Sequence, residues 1–374
     1  MKETPLHSVH VGLGARMVEF GGWHMPVQYA SILAEGRTVR RTAGLFDLSH
    51  MGRLEIAGHD AIGLVDRVCT NHCARTPSGA IRYSLLCGED GFPLDDLLFY
   101  RQESGVYLVV NASNTERDIQ WIRSRTAGLE ARVVDRTAEQ AMLALQGPRS
   151  VEILASVVSG IDLGSIGYYK FAFGTVCGLP GTRISRTGYT GEDGFEIYLP
   201  AAEAERVWHE ISRAGSPAGL LPIGLGARDV LRLEAGMALY GHEIDERTNP
   251  FEAGLAFAVA LTPEKGDFVG RAALERLRSS TTRRLVGIVT EGPRVPRQGM
   301  ELLEGDEGVG KVASGGVSPT LGTNIGSAFV RLGHDAEGRE LEIDVRGRRQ
   351  PCTVRELPFY SRTRKRTPAS PVKP

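Results

Sequence analysis

The chain has 374 residues, of which 41% are hydrophobic and 24% charged, and its formal net charge is −1. That length exceeds one ordinary domain and points to two or three, with ample apolar chain to bury cores without disulfide staples. The near-neutral balance excludes a chain-wide pull towards nucleic acid or anionic lipid, and no run of about 18 apolar residues suits a transmembrane helix.

The first ten residues, MKETPLHSVH, have no apolar segment of a secretory signal, so the expected location is cytoplasmic. Helical patterns follow at 28–43 and 59–68. The cysteines at 69, 73, 87, 177 and 352 are odd in number and scattered, which suits reduced thiols. The cluster CTNHC (69–73) lacks the second short-spaced pair of a zinc site, so no metal is expected. Strands at 97–100 and 106–110 form a hairpin within 92–110, and helices follow at 114–127 and 149–157. Further strands (182–185, 195–199) precede helices at 201–213, 226–236 and 271–278, and then strands at 284–289 and 341–345. Strands arriving as hairpins, without regular alternation with helices, predict an α+β fold with antiparallel sheets. A polar helical boundary at 263–283 separates off an all-β module over 284–360. The basic, Pro-rich tail at 361–374 is predicted to be disordered.

The stretch SRTGYTGEDGFEI (185–197) places glycines at 188, 191 and 194. A phosphate loop would open a helix. Here Phe195, Ile197 and Leu199 alternate with Glu196 and Tyr198, as in a strand, and the upstream TRIS also reads extended. The stretch is therefore a hairpin connection, with Glu192 and Asp193 as turn or solvent residues that would repel phosphate. No nucleotide cofactor is expected. Glu196 lies opposite Phe195 and Ile197, so it faces solvent or a cleft, where a carboxylate can accept two parallel N–H donors.

Six blocks then form a set: TPLHSVHVGLGARMVEFGGWHMPVQY (4–29), RTAGLFDLSHMG (41–52), DDLLFY (95–100), SRTGYTGEDGFEIY (185–198), GLGARDVLRLEAGMALYGHEID (224–245) and ASGGVSPTLGTNIGSAFV (313–330). In this order, over nearly the whole chain, they resemble the glycine cleavage system T proteins, the tetrahydrofolate-dependent aminomethyltransferases. The resemblance implies three domains around a central folate cavity. These are a discontinuous α+β domain (1–50 with 139–262), a ferredoxin-like α+β domain (51–138) and a linker helix with a C-terminal β-barrel (263–360). It also implies transfer of the methylene of an aminomethyl group from lipoylated H protein to tetrahydrofolate. The products would be 5,10-methylenetetrahydrofolate, ammonia and dihydrolipoyl H protein. Neither nucleic acid nor membrane is an expected partner.

Residue by residue, the resemblance makes Asp96 the catalytic carboxylate. It makes Glu196 and Arg228 the pterin-holding pair, and Tyr83, Tyr189, Met51 and Asn111 part of the folate cavity. A C-terminal aromatic, Tyr360, is the matching candidate for a further folate contact. The pattern does not choose between Tyr168 and Tyr169, or between Tyr360 and Arg362. On a strand, Asp95 and Asp96 point to opposite faces, so only one lines the cavity; the distance of Asp96 from Tyr83 resembles the family's spacing, and the resemblance therefore favours Asp96. Arg228 would donate to the ring's acceptors or fix Glu196. His10 and His50 lie in the matching blocks, but the expectation for both is a satisfied structural histidine. Gly36, Asn249 and Phe257 depart from the family pattern, with consequences expected for local packing alone. The absence of a KGCY-like motif argues against the iron–sulfur assembly relatives of this fold. A free-standing folate-dependent demethylase is the remaining alternative.

Overall fold

The computed structural model describes residues 1–345 and 347–362. The expected tail lies outside the described residues from position 363 onwards.

The α+β expectation holds, with three sheets and a short hairpin among the described residues. The largest sheet runs in the order Val158–Ser159, Phe171–Val176, Leu179–Ser185, Gly194–Pro200, Gln140–Gln146, Gly44–Asp47, Leu221–Pro222. Its neighbours are antiparallel except the last two, which pair in parallel. The period-two reading of 195–199 explains how this sheet packs. Phe195, Ile197 and Leu199 join a core closed by Val207, Trp208 and Ile211 of helix Ala204–Gly215. Tyr198, Met142 and Ala144, on the opposite face, meet Tyr100, Tyr107 and Val109 of a second sheet.

That second sheet has five antiparallel strands in the order Ile81–Cys87, Pro93–Arg101, Gly105–Val110, Gly52–Ala57, Arg132–Asp135. Leu64, Val65 and Val68 of helix Ala61–Val68 and Ile119 and Ile122 of helix Thr115–Arg123 cover its other face. The C-terminal strands Arg283–Thr290, Asn324–Arg331, Glu307–Val317, Glu301–Glu304, Glu340–Asp344 and Arg349–Arg355 close into a barrel around its own apolar core.

All seven expected helices form, several of them shorter or shifted. The first starts at Ile32 because Ser31 accepts a hydrogen bond from the Ala34 N–H (3.2 Å) and caps it, and residues 23–28 are taken into a strand. The sequence reading missed helix His7–Gly12 and the hairpin Arg16–Phe20/Trp23–Gln28. Gly21 and Gly22 turn that hairpin at φ 57° and 86°, the left-handed region a two-residue turn demands. All five cysteines are buried free thiols.

Candidate functional site

A cavity of about 910 Å³ lies where the two sheets, the barrel and the segment 236–257 meet. Tyr83, Asp96, Leu98 and Val109 of the five-stranded sheet line it, as do Met142 and Glu196 of the seven-stranded sheet and Leu285 of the barrel. Of the residues expected at the site, Asp96, Glu196, Arg228, Tyr83, Tyr189, Met51 and Asn111 all face this space.

Strand alternation separates the two adjacent aspartates. Asp95 is fully buried on the far side of strand Pro93–Arg101. Its Oδ1 accepts from the side-chain amides of Asn111 (2.9 Å) and Asn114 (2.6 Å), and its Oδ2 from the Asn111 backbone N–H (3.1 Å). Asp96 turns into the cavity. The Tyr83 hydroxyl donates to its Oδ2 (3.0 Å) and the Asn111 amide to its Oδ1 (2.8 Å). Burial, and then the negative Asp95 beside it, push the Asp96 carboxyl up to about 7; the two hydrogen bonds only partly offset this.

Glu196 reaches the cavity because it alternates with Phe195 and Ile197, which point into the core on the other face of the sheet. Its Oε2 accepts from Thr187 Oγ1 (2.5 Å) and, at longer range, from the Tyr100 and Tyr198 hydroxyls (both 3.4 Å). Among the described residues its Oε1 has no hydrogen-bond donor, so an acceptor faces the space. Burial raises its proton affinity, while Thr187 and Arg228 work the other way. Arg228, on helix Leu225–Glu234, lies over the Tyr189 ring (4.6 Å to the centroid). It feels the charge of Glu196 but closes no ion pair with it among the described residues. Its donors are therefore open to a ligand, and the alternative in which it fixes Glu196 is not what the geometry displays. Gly224, which caps that helix, touches strand Trp23–Gln28: a Cβ there would sit 2.4 Å from the Val27 carbonyl.

Several expectations are corrected. Glu192 is not a solvent residue of the turn. It is buried, and Arg40 Nη1 holds its Oε1 at 3.0 Å. Asp193 pairs with Arg186 (2.6 Å). Tyr360 is outside the cavity lining, because its ring stacks on the Arg40 guanidinium (3.8 Å). Arg362 is also outside it, between Asp193 (3.4 Å) and the Tyr168 ring (5.2 Å). Tyr169 lines the cavity and Tyr168 does not. Tyr169 does so at φ 58°, with its N–H on Arg186 and its carbonyl on Ile81; a bulky side chain in this region is strained and held by its neighbours.

His10 is satisfied by Asp47 and Tyr29, but His50 is not. It lines the cavity, its buried Nδ1 has no hydrogen-bond partner among the described residues, and burial pushes its imidazole down to about 3, opposed by the Asp47 charge and helped by those of Arg228 and Arg53, so it is neutral. Phe257 affects more than local packing. It is 69% exposed, lines the cavity and tilts against the Tyr83 ring (5.7 Å), as a rim residue. Phe20 is a second rim residue that the sequence reading passed over; its place next to the Gly21–Gly22 turn was the available signal. Among the described residues, the His, Cys and acidic donors close enough to share a metal are Glu3, His7 and His24, none of which lines the cavity.

Two family models match the chain: the GCVT N-terminal domain over residues 6–263 and the glycine cleavage T-protein C-terminal barrel domain over residues 283–361. An aminomethyltransferase of Symbiobacterium thermophilum is 50% identical over 367 residues, covering 96% of this chain and 97% of that one. One from Moorella thermoacetica is 48% identical, covering 98% and 99%. The crystal structure of the glycine cleavage system aminomethyltransferase T from Bartonella henselae superposes with a TM-score of 0.89 at 34% identity, over 96% of this chain and 98% of that one.

Proposed function

The chain belongs to the glycine cleavage T-protein family and has its aminomethyltransferase function, and from that premise we propose how its own residues carry the reaction. Tetrahydrofolate binds in the central cavity, and the aminomethylated lipoyl arm of an H protein enters to meet it. The observation that carries this reading is the pairing of Asp96 and Glu196, contributed by separate sheets, across one apolar-walled space.

Glu196 takes the amino-pyrimidine edge of the pterin on its open Oε1, and Arg228 donates to the ring's acceptor atoms. Tyr83, Tyr189 and Met51 supply flat, apolar walls for a flat heterocycle. Transfer joins the methylene carbon to N5 and then N10 of the folate and breaks its bonds to nitrogen and sulfur. The two folate N–H protons end on the departing ammonia and the lipoyl thiol. Asp96, next to the folate amines, accepts a proton in its ionised form and stabilises the cationic carbon between bond breaking and bond making. Asn111 and Tyr83 hold that carboxylate in place.

The three domains are proposed to be 1–50 with 139–262, 51–138, and 263–360, each built on its own sheet or barrel. Five unpaired thiols support a reducing, cytoplasmic setting. The test is ammonia release and methylenetetrahydrofolate formation from aminomethylated H protein and tetrahydrofolate. Asp96→Asn is expected to lower turnover about 10²- to 10⁴-fold. Near wild-type turnover in that variant would remove Asp96 from the mechanism.

A further inference from the structure

Asp118, in helix Thr115–Arg123, has no role in the scheme above. It is fully buried, and neither of its carboxyl oxygens has a hydrogen-bond donor among the described residues. Its own N–H is taken by the Asn114 carbonyl (2.9 Å). The group it meets at hydrogen-bonding range is the Asp95 carboxyl. Two carboxylates are acceptors only, so this contact requires a proton on one of them. Asp95 receives three N–H groups, from Asn111 and Asn114, which favour its anion. Asp118 receives none, so the proton belongs to Asp118.

The charges around it agree. From its own helix it feels Arg117, whose guanidinium is engaged by Glu246, the Leu94 carbonyl and the Tyr240 hydroxyl (3.0 Å). From the neighbouring strand it faces Asp95 and Asp96, both acidic. The thiol of Cys69 lies in the same apolar interior. Burial, then Asp95, raise the proton affinity of Asp118 far above the carboxylate range.

We propose that Asp118 is a positioning residue for the transfer reaction: held as the neutral acid, it donates its hydrogen to Asp95 and keeps that residue an anion tied through Asn111 to Asp96. The fixed negative charge of Asp95 then sets the pH at which Asp96 ionises. This rests on the reading of Asp96 as the reacting carboxylate.

The test is the pH profile of kcat, with the infrared band of a protonated carboxyl as a second readout. Asp118→Asn keeps an N–H donor and a neutral group, so the midpoint of the acid limb should stay within a few tenths of a unit. The protonated-carboxyl band that the parent keeps at about pH 9, where Asp96 is ionised, should be missing. Asp118→Ala removes the donor that ties down the Asp95 carboxyl, weakens the negative charge facing Asp96, and should lower the midpoint by about one unit. A shifted midpoint in Asp118→Asn, an unshifted one in Asp118→Ala, or no band lost would each overturn the proposal. If Asp118→Ala does not fold, the Asn variant and the band still decide. Full turnover by Asp96→Asn would instead refute the reading of Asp96 and leave the infrared result standing.

Discussion

Asp96 and Glu196 are both walled by apolar surface, yet their neighbours give them different work. Glu196 has one oxygen anchored by Thr187 and one open, which suits it to hold a ligand. Glu196→Gln should therefore raise KM for tetrahydrofolate about 10- to 100-fold, the worth of a charge-assisted hydrogen bond, with a smaller change in kcat. Steady-state kinetics at fixed H protein would read this split; an unchanged KM would remove Glu196 from the pterin edge. Asp96 has its ionisation moved to about 7, so kcat should fall as the pH drops below that value. The same shift bears on stability. The native carboxyl holds a proton that the unfolded chain, with its ordinary value of 3.8, releases between pH 4 and 7. Its contribution to stability is complete below about pH 4 and is lost as the pH rises through 7. Asp96→Asn, with no charge to bury, should gain up to about 4 kcal/mol over the parent at pH 8 and almost nothing at pH 4. Urea unfolding at the two pH values measures the difference.

The elements that carry these residues depend on close backbone approach. The three glycines of GYTGEDG serve different ends. A Cβ on Gly188 would overlap the Gln146 side-chain oxygen at 1.9 Å, and one on Gly194 would sit 2.5 Å from the Leu145 carbonyl. Gly191 turns the chain at φ 79°. Gly224 brings the Arg228 helix onto strand Trp23–Gln28. Gly224→Ala forces a methyl into backbone, and is expected to cost about 1–3 kcal/mol and to weaken folate binding by displacing Arg228. Thermal unfolding and a folate titration would check both. The strand reading of 195–199 was legible because Phe195, Ile197 and Leu199 alternate. That Asp95 and Asp96 face opposite sides was legible from strand alternation, while the choice of Asp96 for the cavity came from the family resemblance. The burial of Glu192 was not legible, because its partner Arg40 is about 150 residues away.

Across the whole molecule, buried ion pairs fasten the units around the cavity. Arg40 Nη1 bonds Glu192 and the Thr190 carbonyl (2.6 Å), its Nη2 bonds Glu234 at the end of the Arg228 helix (2.7 Å), and its Nε reaches Thr320 in the barrel (3.1 Å). Arg232 and Glu243 (2.7 Å), both buried, continue the network to Ser314 and Ser327 of the barrel. Arg40→Met would leave two buried carboxylates without their cation and should cost about 3–5 kcal/mol. Equilibrium unfolding would show the loss, and a fall under 1 kcal/mol would contradict this role for Arg40.

Most local elements, the α+β class and an all-β C-terminal module are written in the chain, since each follows from periodicity and turn chemistry within a few residues; helix His7–Gly12 and the hairpin after it escaped that reading, and the barrel was implied by the family resemblance. The chain's motifs, read as a set, also determined the family. Only the tertiary structure shows that Tyr169 and not Tyr168 turns inward, that Tyr360 stacks on Arg40, that the buried Nδ1 of His50 has no partner among the described residues, and that Asp118 abuts Asp95. Those outcomes depend on which distant surfaces meet and how much water they exclude, and burial and long-range charge have no period along a chain.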